Sequence, residues 1–155
     1  MKMNKIIFDS NIHNWKRYQS EFKYLIWCKE NLLFLIETED NIKFGGFISS
    51  KIDKYHPIPI SDENAFVFTF KDNKPMKFNI KKDRKDRAFK LFEKSDDRLF
   101  LIGNGDIRIY KQNVLSSINQ DIYSSFDYQG IENALIGKTG YGCFSPKRFL
   151  VIQMK

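Results

Sequence analysis

The 155-residue sequence has little with which to build a metal centre or a disulfide framework. It contains two cysteines, Cys28 and Cys143, and two histidines, His13 and His56. They show no metal-ligand spacing and no C-x-x-C pair, so neither a zinc site nor a redox dithiol is indicated. There is no G-x-S-x-G elbow and no H-E-x-x-H run, the local signatures of hydrolytic nucleophiles and metalloproteases. Cys28 is expected on a helix beside Trp27 as a packing residue. Cys143 is expected to open the last strand, partly exposed, and neither thiol has an obvious activating neighbour. No run of 18 apolar residues occurs, so no segment is suited to cross a bilayer as a helix. The opening "MKMNKIIFDS" lacks the apolar stretch of a secretory signal. The expectation is a cytoplasmic or nuclear chain with reduced thiols and neither cofactor nor metal.

Complete phosphate-binding loops are also missing. Gly137-Lys138-Thr139 reads like the end of a P-loop, but the required first glycine would be residue 132, which is Glu132. The following residues, through Phe149-Leu150-Val151-Ile152, read as strand, whereas a phosphate cradle opens a helix. A glycine-rich turn between two strands is the better reading. "GNGDI" at 103–107 offers G-x-G without the third glycine or the helix of a dinucleotide site. Asp106 in that turn is suited to capping turn amides.

What the sequence does have is aromatic mass and positive charge. Fifteen phenylalanines in a chain that is 42% hydrophobic indicate a globular core. A chain of this length fits one domain, 1–155. The net charge is +7, and it is uneven. Between Lys77 and Lys90 seven basic residues face only Asp83 and Asp86. Lys81, Lys82, Arg84, Lys85 and Arg87 form a candidate surface for an anion or an acidic partner. Nucleic acid is one such partner, although no aromatic residue is interleaved in the run for base stacking. Glu37, Glu39 and Asp40 cluster at a hairpin tip, where a solvated turn is the default reading.

Periodicity supplies the elements. Trp15, Tyr18, Phe22, Leu25 and Ile26 share one face of a helix expected within 14–30, with Asn11 or Asn14 as cap. "LLFLIE" and "IKFGGFIS" form a hairpin across "TEDN". Adjacent Gly45 and Gly46 in mid-strand mark a bulge or a close backbone approach. Pro57 and Pro59 hold 54–61 as a loop. "AFVFTF" and "MKFNI" pair as strands. Further strands are expected at 99–103, at 105–111 with Ile107 and Ile109 inward, and at 148–154. Residues 112–130 read as polar and turn-rich. Many short strands with turn signals every 8 to 12 residues argue an antiparallel sandwich or barrel with helices at an edge.

Taken in order, "LLFLIETEDNIKFGGF", "NAFVFTF", "FLIGNGDIRIY", "ALIGK" and "CFSPKRFLVIQM" resemble a TLDc domain over roughly residues 5 to 155. Phe44, Gly45, Gly46, Gly103, Asp106 and Gly137 carry the resemblance, and Leu135-Ile136-Gly137 matches the family's L-L-G turn. The resemblance implies an α+β, mostly β fold: a two-sheet antiparallel β-sandwich with flanking helices. It implies a non-enzymatic protein-interaction domain linked to protection from oxidative stress, with the vacuolar proton ATPase as a partner of several members. It carries over no catalytic residue, cofactor or metal. Arg148 and Leu150 stand where the family's last strand usually has acids.

Overall fold

The computed structural model describes residues 1–121, 123–137 and 141–155, with Tyr141 described by its backbone alone. Lys138 and Thr139, at the end of the partial P-loop pattern, lie outside the described residues. The chain folds into two antiparallel sheets. Strands β1 (Met3–Asp9), β2 (Leu32–Thr38), β3 (Lys43–Ile48), β4 (Phe66–Thr69) and β5 (Met76–Asn79) share the first sheet with β11 (Pro146–Met154). Its spatial order is β1-β11-β2-β3-β4-β5. The second sheet holds β6 (Phe89–Leu91), β7 (Arg98–Ile102), β8 (Ile107–Tyr110), β9 (Ser116–Asn119) and β10 (Tyr141–Phe144), in the order β10-β9-β8-β7-β6. The two-sheet reading of the sequence is therefore correct.

Alternation places the core. Along β2, Leu32, Phe34, Ile36 and Thr38 are buried while Leu33, Leu35 and Glu37 are half-buried, the period-2 signature of a sheet with one face inward. Ile107 and Ile109 of β8 are buried, as their alternation with Arg108 and Tyr110 indicates. Phenylalanine joins the layers: the Phe34 ring lies 5.1 Å from Phe89 and 5.0 Å from Phe100, both from the opposite sheet. The outer edge of this cluster is closed by Phe8 and Phe149, with centroids 4.9 Å apart.

The glycine pair is a close approach, not a bulge. Strand β3 pairs in unbroken register with β2 on one side and β4 on the other. A Cβ on Gly45 would lie 1.8 Å from the Phe34 carbonyl oxygen and 3.0 Å from the Phe68 ring. A Cβ on Gly46 would meet Ile102 of the other sheet at 3.0 Å. The two glycines thus free space on opposite faces of one strand.

The expected helix over 14–30 shrinks to α1 (Phe22–Ile26), five residues long. Local side chains divert the backbone ahead of it. Asn14 Oδ1 accepts from the Lys16 amide at 2.9 Å, and Ser20 Oγ accepts from the Phe22 amide at 3.2 Å. Such bonds compete with helical pairing. Tyr18 takes a left-handed conformation with φ 66°. Neither Asn11 nor Asn14 caps α1, whose preceding residue is Glu21. A helix this short is marginal alone. It is held by burial of Phe22 and Ile26, with Phe22 stacked 5.2 Å from Phe100.

Three further differences concern strands. The N-terminal β1 was not indicated by the sequence, and the 112–130 stretch contains β9, whose Ser116 and Ser117 are buried. Ser116 Oγ accepts from the Tyr110 amide at 3.1 Å, so a hydroxyl fills a place that an apolar pattern cannot reveal. The C-terminal segment supplies two strands in different sheets, and Cys143 lies in β10 rather than the last strand. Cys28 lies beyond α1 and is exposed, so it is not a packing residue.

Candidate interaction surface

The basic run forms a 3-10 helix, Lys82–Arg87, with none of its residues buried. Its backbone is fastened at both ends. The Lys81 amide donates to the Ser125 carbonyl at 2.9 Å, and the Lys85 carbonyl accepts from the Asp62 amide at 2.9 Å. Asp62 is itself buried and takes up the Ser49, Ser50 and Asn64 amides. The side chains are left to solvent. Arg84 and Lys85 make only long ion pairs, at 3.9 Å to Asp83 and 3.8 Å to Glu63. No ion pair is recorded among the described residues for Lys81, Lys82, Arg87 or Lys90. Burial chiefly, with the charges of Arg98 and Arg87 nearby, holds the Lys90 ammonium below its ordinary pKa. Lys90 and Arg87 line a cleft of about 410 Å³ together with Gly103 and Asn104.

That cleft borders a buried, hydrogen-bonded carboxyl. Asp106 is 2% exposed. Its Oδ1 accepts from the Ser125 amide at 2.9 Å, and its Oδ2 from the Tyr128 hydroxyl at 2.9 Å and the Phe126 amide at 3.4 Å. Burial pushes the Asp106 carboxyl up to about 6, against the lowering effect of these donors. Burial likewise raises the Tyr128 phenol. Gly103 opens the turn at φ 68°, and a Cβ there would lie 2.5 Å from Asp106 Oδ1. Asp106 caps amides of the distant Ser125–Phe126 segment, with the Asp106 amide of its own turn contributing as well. Because Lys81 hangs from Ser125, this knot also fixes where the basic run begins.

The remaining motif residues serve the scaffold. Phe44 is buried, 5.4 Å edge-on from Phe144. Gly137 turns the chain at φ 75° after buried Leu135 and Ile136, and Thr69 Oγ1 donates to the Leu135 carbonyl at 2.6 Å. Arg148 makes a two-pronged pair with Asp9 at 2.5 and 3.1 Å, which holds the Asp9 carboxyl below the usual range. Among the described residues no group of His, Cys, Asp and Glu side chains is placed to hold a metal ion. Glu37 lies near the end of β2, 3.8 Å from Lys147.

Sequence reasoning missed Lys111. Its side chain is 1% exposed, and its ammonium donates to the carbonyls of Glu93, Asp96 and Arg98, closing the β6–β7 turn from beneath. Burial lowers its pKa, with Asp96 and Asp97 opposing. The alternation that turns Ile107 and Ile109 inward runs on in phase to Lys111, and only the charge of the side chain hides that inward place. Lys111→Met keeps the stem but strands three carbonyls, and is expected to cost about 3 kcal/mol. Urea denaturation reads this directly, and an unchanged midpoint would mean that the cage contributes nothing.

The model of the TLDc domain matches residues 5–136. The chain belongs to the TLDc family. The match takes in the TLDc motif residues Phe44, Gly45, Gly46, Gly103 and Asp106, and ends one residue before Gly137 and ahead of β10 and β11. Among curated proteins, none matches the sequence significantly. No helix among the described residues of this TLDc chain is long and apolar enough to cross a membrane.

Proposed function

We propose that this TLDc chain is a non-enzymatic interaction domain that contributes to protection from oxidative damage by docking on a protein partner. The peripheral part of a proton-pumping ATPase is the partner class that the family resemblance implies. One observation carries the reading: the motif residues are spent on the scaffold. Asp106 has both oxygens engaged by backbone amides and a phenol, and the glycines make room for neighbouring chain. No motif side chain is left directed at a substrate. A tagged protein is expected to retain ATPase subunits from its source lysate through moderate salt and nuclease treatment. Recovery of nothing above background would count against the reading. Exposed Cys28 and Cys143 allow a separate check. The Cys28→Ser, Cys143→Ser variant is expected to protect cells from peroxide as well as the parent does, and loss of protection would point to thiol chemistry instead.

A second reading is supported by the sparsely paired basic run: binding to nucleic acid or another anionic surface through Lys81, Lys82, Arg84, Lys85 and Arg87. Affinity for duplex DNA would then fall steeply with salt, about tenfold or more between 50 and 200 mM. Charge reversal at Lys82, Arg84 and Lys85 is expected to abolish it. Indifference to that reversal would sink the idea.

A further inference from the structure

A second candidate surface lies away from the basic run. It is an open groove of about 1170 Å³ between the chain around α1 and the turn at Glu93–Ser95. Tyr18, Tyr24, Leu25 and Trp27 line it, with Lys29 and Lys94 on its rim. Tyr24 is 82% exposed and Tyr18 64%, an unusual outlay of large aromatic surface. Tyrosine and tryptophan are the residues most enriched at binding hot spots. Small-molecule sites enclose roughly 300–1,000 Å³, so an open groove above that range fits a stretch of polypeptide better.

The groove is held in shape. Lys23 is bound 2.7 Å from Glu93, with its ammonium 3.8 Å from the Tyr55 ring centre and 5.3 Å from Trp27. Two non-glycine residues near its ends are left-handed, Tyr18 at φ 66° and Cys28 at φ 58°. Each is a conformation unfavourable for a residue with a side chain, which the fold must sustain through other bonds. The Tyr18 amide donates to the Lys94 carbonyl at 2.8 Å, and the Cys28 amide to Ile52 at 2.9 Å. The strained bond at Tyr18 directs its ring outward, where Arg17 lies 4.9 Å from it.

Charge selects the occupant. Glu93 is engaged by Lys23, whereas Lys29 and Lys94 have no recorded ion pair among the described residues. A second copy of this chain, itself at +7, would meet like charge. A phosphodiester strand and an acidic peptide would both meet the Lys29 and Lys94 ammoniums, but only the peptide also brings an apolar side chain to seat against Leu25. We propose that this groove docks a short acidic segment of a partner protein, with an aliphatic or aromatic side chain seated among Tyr24, Leu25 and Trp27. The proposal rests on the interaction-domain reading and names where that interaction occurs.

The test is fluorescence anisotropy with the whole chain and a labelled synthetic peptide in which aspartates and glutamates surround one leucine and one phenylalanine. Binding is expected, and Tyr24→Ala and Lys29→Glu should each weaken it about tenfold. Both sites are exposed or half-exposed, so folding is preserved, and circular dichroism verifies that. The Lys74→Gln variant, at an exposed position ahead of β5, should bind as the parent does. The proposal is overturned by absence of binding, by equal binding of a lysine-substituted peptide, or by indifference to Tyr24→Ala. It is also overturned if oligothymidylate or phosphatidylserine vesicles bind the groove in the peptide's place. The two readings fail separately. A lysate partner retained by both groove variants would remove the groove and leave the interaction domain, whereas no partner for the parent chain would remove the interaction domain.

Discussion

Gly45→Ala is expected to cost about 4 kcal/mol or more, a loss at the extreme of single substitutions. The added methyl carbon would sit 1.8 Å from the Phe34 carbonyl oxygen and 2.9 Å from its carbon. Both atoms are backbone in the adjacent strand, so no rotamer change relieves the clash. Strand β3 is paired on both sides, and moving it disturbs two ladders together with buried Phe44 and Ile48. Typical domains are stable by about 5–15 kcal/mol, so the variant should be largely insoluble or show a much lower urea midpoint. Gly46→Ala is the internal control. Its neighbours are the Ile102 side chain at 3.0 Å and the Phe66 carbonyl oxygen at 3.2 Å, far less close than the Gly45 contact, and the expected cost is about 1–2 kcal/mol. Equal losses at the two positions would refute the close-approach argument.

Asp106→Ala is expected to be the other severe change, at about 3–5 kcal/mol, because it leaves the Ser125 and Phe126 amides and the Tyr128 hydroxyl buried without an acceptor. Asp106→Asn keeps one acceptor oxygen and should lose much less. The pH profile separates charge from hydrogen bonding. The carboxyl is raised from 3.8 to about 6, so between those values the folded chain holds a proton that the unfolded chain releases. Stability from this group is complete below about pH 4 and declines as pH rises through 6, by about 3 kcal/mol in total. Asp106→Asn should flatten that decline. A wild-type profile that rises through this window at Asp106 would show instead that its three donors outweigh burial and keep it ionised. Because Lys81 hangs from Ser125, loosening the Asp106 knot should also free the start of the basic run, detectable as faster amide exchange at Lys81.

Local patterns were readable where one residue's neighbours along the chain set its role. Alternation in "GDIRIYK" placed Ile107 and Ile109 inward, and consecutive glycines in a strand signalled a bulge or a close approach, between which the unbroken register of β3 decided. The apolar spacing of Trp15, Tyr18, Phe22, Leu25 and Ile26 was real, but only Phe22 and Ile26 follow it into the core as helix. Side-chain acceptors at Asn14 and Ser20 took the amides that a longer helix needs. Strand β9 escaped notice because its buried serines pair with backbone rather than forming an apolar stripe. Of the candidate surfaces, the basic run was visible as composition. The aromatic groove was not, since its walls come from residues 18–29 and from the turn at 93–95, brought together across the β6–β7 connection.

By itself, the sequence determined the strand-rich class, the hairpin, the alternating face of β8, the positive field at 77–90 and the TLDc identity. These depend on period, charge and order along the chain, which survive in one dimension. Only the tertiary structure decided which backbone each glycine admits, where the two C-terminal strands divide between sheets, and that Asp106 and Lys111 are buried. A buried carboxylate or ammonium is stable only when distant segments supply its partners, and those partners, Ser125 to Tyr128 for one and Glu93 to Arg98 for the other, are chosen by folding.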